Sequence, residues 1–328
     1  MGGEDEREGG ALLYFGLQEP LPLPGDMKAF PEHPSPMKFV ELARKTKGVW
    51  IDIEKPFWWD TPIWLASGQI DSIGLANNHM CRDSMYENEA WGKPRDVDRL
   101  PGPLGNGYWT QEIYYHVLNC GLRVPPSAGS ASGVLPNPVG YNRAYVYLGK
   151  DFSHDRWWQG LKQGRSFVTN GPLLLCQAND EPPGHVFQAD DALPIKLKVE
   201  LISNDPVSTL EVIQDGRSVQ TIRLDRAVKS RASTSLTFQR SGWFLVRAIA
   251  DNAKTFRFAS TAPYYVEIGP VKTRVSPRSA KFFLDWLDER AVRVAQKLQD
   301  PVKLREVLKY HQDAKSFWLR IVDRANAE

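Results

Sequence analysis

The chain has 328 residues, 42% hydrophobic and 24% charged, which is enough for a sizeable core and about two domains. Its 41 basic and 39 acidic residues leave a net charge of +2, which excludes the broad positive field of a nucleic-acid binder. No apolar run approaches the ~20 residues of a membrane span, and the acidic start MGGEDEREGG has neither the basic nor the apolar region of a signal peptide. The sequence therefore assigns no localisation. Cys81, Cys120 and Cys176 are far apart with no CxxC, so they read as free thiols, not as a zinc ribbon or disulfide framework.

In chain order, residues 1–10 read as a disordered start that leads straight into the apolar strand ALLYFGL. So abrupt an opening is what a chain cut at its amino end would show. Residues 11–182 then alternate short apolar runs with helical patterns, the signature of an α/β unit. A helix is predicted over Met37–Lys47, closed by Gly48. A short one follows over Thr61–Ser67, opening at Asp60 with Pro62 in its first turn. A third covers Thr110–Cys120, where Ile113, His116 and Val117 share a face and Gly121 sits at the C-cap position. Strands are predicted at Leu122–Val124 and Ala144–Leu148, with Pro125–Asn142 as a long loop between them.

Residues 183–275 change character. Ile195–Leu201 alternates apolar and charged residues with the period of a half-buried strand. Leu210–Ile213 and Val219–Leu224 flank the turn signal Asp215-Gly216, with more than two residues between them. Leu236–Phe238, Trp243–Ile249 and Tyr264–Ile268 continue a series expected of an immunoglobulin-like β-sandwich. Residues 276–328 read as a helical hairpin, its second helix opened by Asp300-Pro301. Trp286 and Trp318 are available there for docking on the β domain or on a second copy, so a homodimer through these helices is an expectation.

Two predicted strands end in polar side chains. Val49–Ile53 delivers Asp52, Glu54 and Lys55; Ile70–Ala76 delivers Asn77, Asn78 and His79. In α/β folds, ligands gather at the carboxyl ends of strands, and a carboxylate with an imidazole makes half of a divalent-metal site. Asp52 and Glu54 alternate, so they share one strand face. Arg143 suits an anionic group or the orientation of a carboxylate. Lys55 could stabilise developing negative charge. Each also has a plain structural alternative: a salt bridge for Glu54 with Lys55, a strand-end hydrogen-bonding role for His79, and backbone bonding for the Arg165–Pro172 turn.

The order EKPFWWD, IDSIGLANNH, EIYYHVLNCGLRVPPSAGS, NPVGYNRAYVYL and GLKQGRSFVTNGPLL is similar to the carboxyl half of CehA/McbA-type metallohydrolases of the PHP (polymerase and histidinol phosphatase) superfamily. The resemblance is strongest over residues 40–175. It implies a fold that opens with part of a distorted β/α barrel, with metal at the strand ends activating water to hydrolyse ester, amide or phosphoester bonds. It implies Glu54 and His79 as metal ligands for zinc, manganese or iron, and Asp52, Lys55 and Arg143 as catalytic groups. Asn78, Asn142, Arg165 and Asn170 would contact substrate. Two departures stand out: no His-x-His pair occurs in the chain, and Ala131 follows Ser127-Ala128-Gly129-Ser130 where the family carries Asp. Two other classes stay open. One is a non-catalytic binding or structural module that recognises a glycan or protein. The other is a metal-free, glycan-active enzyme using Asp52 and Glu54. A small-molecule or glycan-like substrate fits the enzyme readings.

Overall fold

The computed structural model describes residues 1–23 and 31–327. They form two compact units: residues 1–74, 89–95 and 275–328 in the first, and residues 75–88 and 96–274 in the second.

The first unit opens with an antiparallel hairpin of β1 (Gly2–Arg7) and β2 (Gly10–Phe15), so the expected disordered start is instead a strand. A polar, glycine-rich hexapeptide has little strand propensity of its own. Here the two-residue connection Glu8-Gly9 and the backbone ladder to β2 supply what the side chains do not. Arg7 and Asp5 are buried on one face, where Arg7 Nε donates to Asp5 at 2.6 Å and its Nη1 to the Pro34 carbonyl at 2.8 Å. Helix α1 (Pro36–Ala43) starts at Ser35, whose hydroxyl accepts from the Met37 amide, with Pro36 in the first turn. Strand β3 (Trp50–Ile53) lies antiparallel to β2. After α2 (Thr61–Ala66), β4 (Ser72–Ala76) pairs in parallel with β3. Gly74 is obligatory there, because a Cβ would collide with the Glu54 carbonyl.

In the second unit, α3 (Leu104–Asn119) begins earlier than its apolar pattern suggests and ends as predicted. Gly121, at φ 78°, donates to Leu118, and Leu122 donates to Val117. Those two bonds close a Schellman cap. Strand β5 (Pro126–Ala128) replaces the strand expected at Leu122–Val124 and interrupts the long loop. It is followed by β6 (Arg143–Val146), α4 (His154–Lys162), β7 (Ser166–Thr169), β8 (Leu173–Ala178) and β9 (Val186–Ala189).

Strands β10 (Leu193–Gln214) and β11 (Arg217–Phe238) form one long hairpin of 22 residues a side, where four shorter strands were expected. Its loop is Asp215-Gly216 alone, both at positive φ (49° and 86°), because the strands run right up to the turn. Register shifts between Ile202 and Thr209 let β10 change partner. Before them it pairs with β8, and after them with β12 (Gly242–Ile249). Strands β13 (Phe258–Thr261) and β14 (Tyr264–Ile268) complete the sheet, with β7 against β13 and β9 parallel to β14. Leu197, Leu201, Val212, Phe244, Val246 and Tyr264 fill the core between its inward faces.

The remaining elements, α5 (Pro277–Lys297) and α6 (Pro301–Asp323), return to the first unit. Asp300 caps α6 by accepting from Val302 and Lys303, as its sequence predicts. Trp286 and Trp318 are both buried in this unit. Trp318 donates to the Pro62 carbonyl at 2.9 Å and stacks on Phe283. Of the two rings on offer for docking, Trp318 therefore packs against α2, and Trp286 packs on Phe282 and Phe283. Among the described residues, the strands form mixed sheets, and no closed barrel is formed. No helix among them is long and apolar enough to cross a membrane.

Candidate functional site

Cross-strand register assembles the strongest candidate on the first unit's sheet. Glu4 pairs with Leu13, Leu13 with Asp52, and Asp52 with Ser72, so these four side chains share one face. One row along, Glu6 pairs with Ala11, whose carbonyl accepts from the Glu54 amide at 3.3 Å. Glu54 lies two residues beyond Asp52 and falls on the same face. Glu4, Glu6, Asp52 and Glu54 thus lie on one face of β1 and the end of β3, while Asp5 and Arg7 point the other way.

Each carboxylate has a distinct environment. Asp52 is buried and accepts from the Ser72 hydroxyl, which itself accepts from the Trp50 indole at 2.7 Å. Glu54 Oε2 accepts from Lys55 Nζ at 2.6 Å and from Trp58 Nε1 at 3.2 Å. The Lys55 ammonium lies 4.5 Å from the centre of the Trp58 ring, and that ring packs on Trp91. Glu4 keeps an exposed side, yet its carboxyl is pushed up to about 7. Desolvation is the larger cause, followed by repulsion from Glu54 and Glu6, while Lys55 pulls the other way. Glu6 is raised by burial and by Glu54.

The other predicted site residues fall in the second unit, where most are committed to backbone groups. Asn77 Oδ1 accepts from the His79 amide at 3.1 Å, an Asx turn. The His79 ring stacks on Tyr86 with centroids 4.8 Å apart. The Asn78 carbonyl accepts from Cys81 Sγ and Asn137. Asn142 donates to the carbonyls of Asn77 at 3.0 Å and Gly129 at 3.1 Å, holding the loop and the end of β4 together. Arg143 donates to the carbonyls of Tyr141 at 2.8 Å and Gly140 at 3.2 Å. Asn170 bonds both Phe256 and Phe258. The side chain of Arg165 is exposed, and its carbonyl accepts from the Tyr147 amide at 2.7 Å. Asn142, Arg143 and Asn170 thus spend side-chain donors on backbone carbonyls of the surrounding loops.

The metal ligands that the resemblance implies are Glu54 and His79. Glu54 belongs to the first unit and His79 to the second. The Oε2 of Glu54 is already engaged by a lysine and an indole. Among the described residues, no group of three or more His, Cys, Asp or Glu is placed to hold a metal ion. The donors placed together among these residues do not fit a resident divalent ion. The three cysteines are buried and free, and burial pushes Cys176 up to about 12, which leaves an inert thiol.

Sequence reading found Asp52, Glu54 and Lys55 but missed Glu4 and Glu6. The available signal was the alternation of Glu4 and Glu6 with Asp5 and Arg7, a period of two hidden in a charged stretch.

No protein-family model matches the chain, and no curated protein matches it. Among solved structures, a CARDB domain from Pyrococcus furiosus is similar at 12% identity over 30% of this chain and 94% of its own, with a TM-score of 0.20. Fibronectin(III)-like modules of Clostridium thermocellum CbhA are similar at 17% identity over 28% of this chain and 94% of theirs, also at 0.20. A lytic polysaccharide monooxygenase from Jonesia denitrificans gives 12% identity over 47% and 93%, with a TM-score of 0.18. Likenesses this slight carry no argument.

Proposed function

We propose that the protein is a hydrolase related to the PHP type, with a first unit derived from part of that barrel and a reactive centre made of carboxylates. The observation that carries this is that Glu4 and Glu54 share one sheet face in different surroundings. Lys55 and Trp58 both donate to Glu54 Oε2. Glu4, at about 7, divides between acid and carboxylate near neutral pH. A carboxyl raised towards neutral pH by its surroundings is the kind of group that acid–base catalysis uses.

In ester hydrolysis, ionised Glu4 takes a proton from water as the water oxygen attacks the carbonyl carbon. The protonated Glu4 then gives that proton to the departing alkoxide, so ester and water become acid and alcohol. Burial, with repulsion from Glu54 and Glu6, keeps Glu4 basic enough for the first step.

The test is an ester, amide and phosphoester screen on wild type and Glu4→Gln, with a pH profile and a chelator arm. Expected is an activity that rises with pH through about 7, survives chelation, and falls about 10²–10⁴-fold in Glu4→Gln. Activity lost to a chelator and restored by zinc or manganese would overturn the carboxylate mechanism in favour of the metal one. No activity on any substrate would leave the non-catalytic binding class.

A further inference from the structure

The β-sandwich carries a two-part groove on the outer face of β8 and β10. Along β8, Leu174, Cys176 and Ala178 point into the core, while Leu173, Leu175 and Gln177 point out. Along β10, Lys198, Glu200 and Ile202 point the same way. Tyr145 and Phe167 stack 4.9 Å apart at one end. With Leu173, Leu175 and Ile202 they wall a cavity of about 220 Å³ whose surface is almost wholly apolar. Tyr145, Leu175 and Ile202 are 40%, 45% and 42% exposed, a cost that an occupant would remove. Tyr147, Leu175 and Glu200 are shared with a second cavity of about 560 Å³, where Gln177, Lys198, Arg231 and Ser233 present polar atoms.

The chemistry of the two parts selects the ligand. An apolar cavity of roughly 150 Å³ accommodates a benzene ring, so the smaller part takes one aryl ring or a short alkyl chain. In the larger part each charge is balanced by a neighbour: Arg231 bonds Glu200 at 3.1 Å and Lys198 bonds Asp180 at 2.5 Å. Such a surface has donors and acceptors but no net field, so it suits hydroxyl groups better than a phosphate or an ammonium. Addition of a peptide strand to β8 is blocked at Cys176. Its amide donates to the Tyr147 hydroxyl at 3.1 Å and its carbonyl accepts from the Tyr264 hydroxyl at 3.1 Å. We infer that the groove is a binding site for a neutral glycoside with an alkyl or aryl aglycone, the aglycone in the Tyr145–Ile202 pocket and the sugar against Glu200, Arg231 and Gln177.

The experiment is a titration of the full chain with octyl glucoside below its micelle concentration, followed by amide chemical shifts, beside n-octanol, glucose and octyl phosphate. Expected is saturable binding with shifts at Tyr145, Leu175 and Ile202, at least about tenfold tighter than either octanol or glucose and tighter than octyl phosphate. Ile202→Asp should weaken it at least about tenfold. Val219→Asp, at a site on β11 that is 50% exposed and outside the groove, should not change it. Octanol binding equally well, octyl phosphate binding more tightly, no saturation, or unchanged affinity in a natively melting Ile202→Asp would each overturn the inference. The titration reads binding without turnover. Glu4→Gln should leave it intact, so failure here and failure of the hydrolase reading are separate results.

Discussion

The carboxylates of the first unit and the predicted site residues of the second make contrasting bonds. In the first, charges are wired to other side chains: Arg7 to Asp5, Lys55 to Glu54, and buried Arg290 to both Asp60 at 2.7 Å and Glu32. In the second, Asn142, Arg143 and Asn170 spend their donors on backbone carbonyls. A side chain that satisfies carbonyls is holding a loop, and moving it to meet a substrate would strand those groups. Carboxylates that share a face with other titratable side chains can change charge without unmaking the fold. That difference, more than residue type, separates Glu4 and Glu54 from Asn142 and Asn170 as candidates for chemistry.

The contrast can be broken from either side. Arg290→Leu should have the largest effect, because it leaves Asp60 and Glu32 buried without their cation. A loss of about 3–5 kcal/mol in urea unfolding is expected, and a loss below about 1 kcal/mol would mean that the side-chain wiring of the first unit is incidental. Asn142→Ala should cost about 1–3 kcal/mol by stranding the Gly129 carbonyl and taking from Asn77 one of the two donors its carbonyl has. Unchanged melting together with lost substrate binding would return Asn142 to the list of ligand contacts.

The smallest effect is expected at Glu4 and depends on pH. Its folded pKa of about 7 lies above the ordinary 4.5, so the folded chain holds this proton more tightly than the unfolded one. Stability is therefore drawn down as pH rises from 4.5 through about 7. Glu4→Gln should melt like wild type at pH 4 and about 1–3 °C higher at pH 8. A lower melting point at pH 8 would mean that ionised Glu4 is stabilised by a cation, and would undo its assignment as the proton carrier.

Legibility in the sequence followed locality. The caps of α3 and α6 are short-range devices, a glycine at Gly121 and Asp300 before Pro301, and the structure has both. The polar ends of β3 and β4 were visible for the same reason. Strand β1 was not, because nothing in GGEDER favours a strand until β2 pairs with it. Ile195–Leu201 and Leu210–Ile213 read as separate strands, yet β10 runs through both, with register shifts between Ile202 and Thr209. At the site, Asp52, Glu54 and Lys55 were found from strand periodicity. Their partners Glu4 and Glu6 required knowledge of which strands lie side by side, and no local pattern contains that.

The split composition of the first unit has a consequence for how the protein is made. Its early strands and its closing helices α5 and α6 are separated by roughly 200 residues of chain, which a ribosome takes about 10–40 s to add. During that interval Ile51, Ile53, Trp59 and Trp64 lack the helices that later cover this unit, while the sandwich between them can already finish its own pairing. The nascent chain thus passes through a state with one half folded and the other waiting. Slow synthesis across α5 and α6 would prolong exposure of the waiting half to chaperones and proteases.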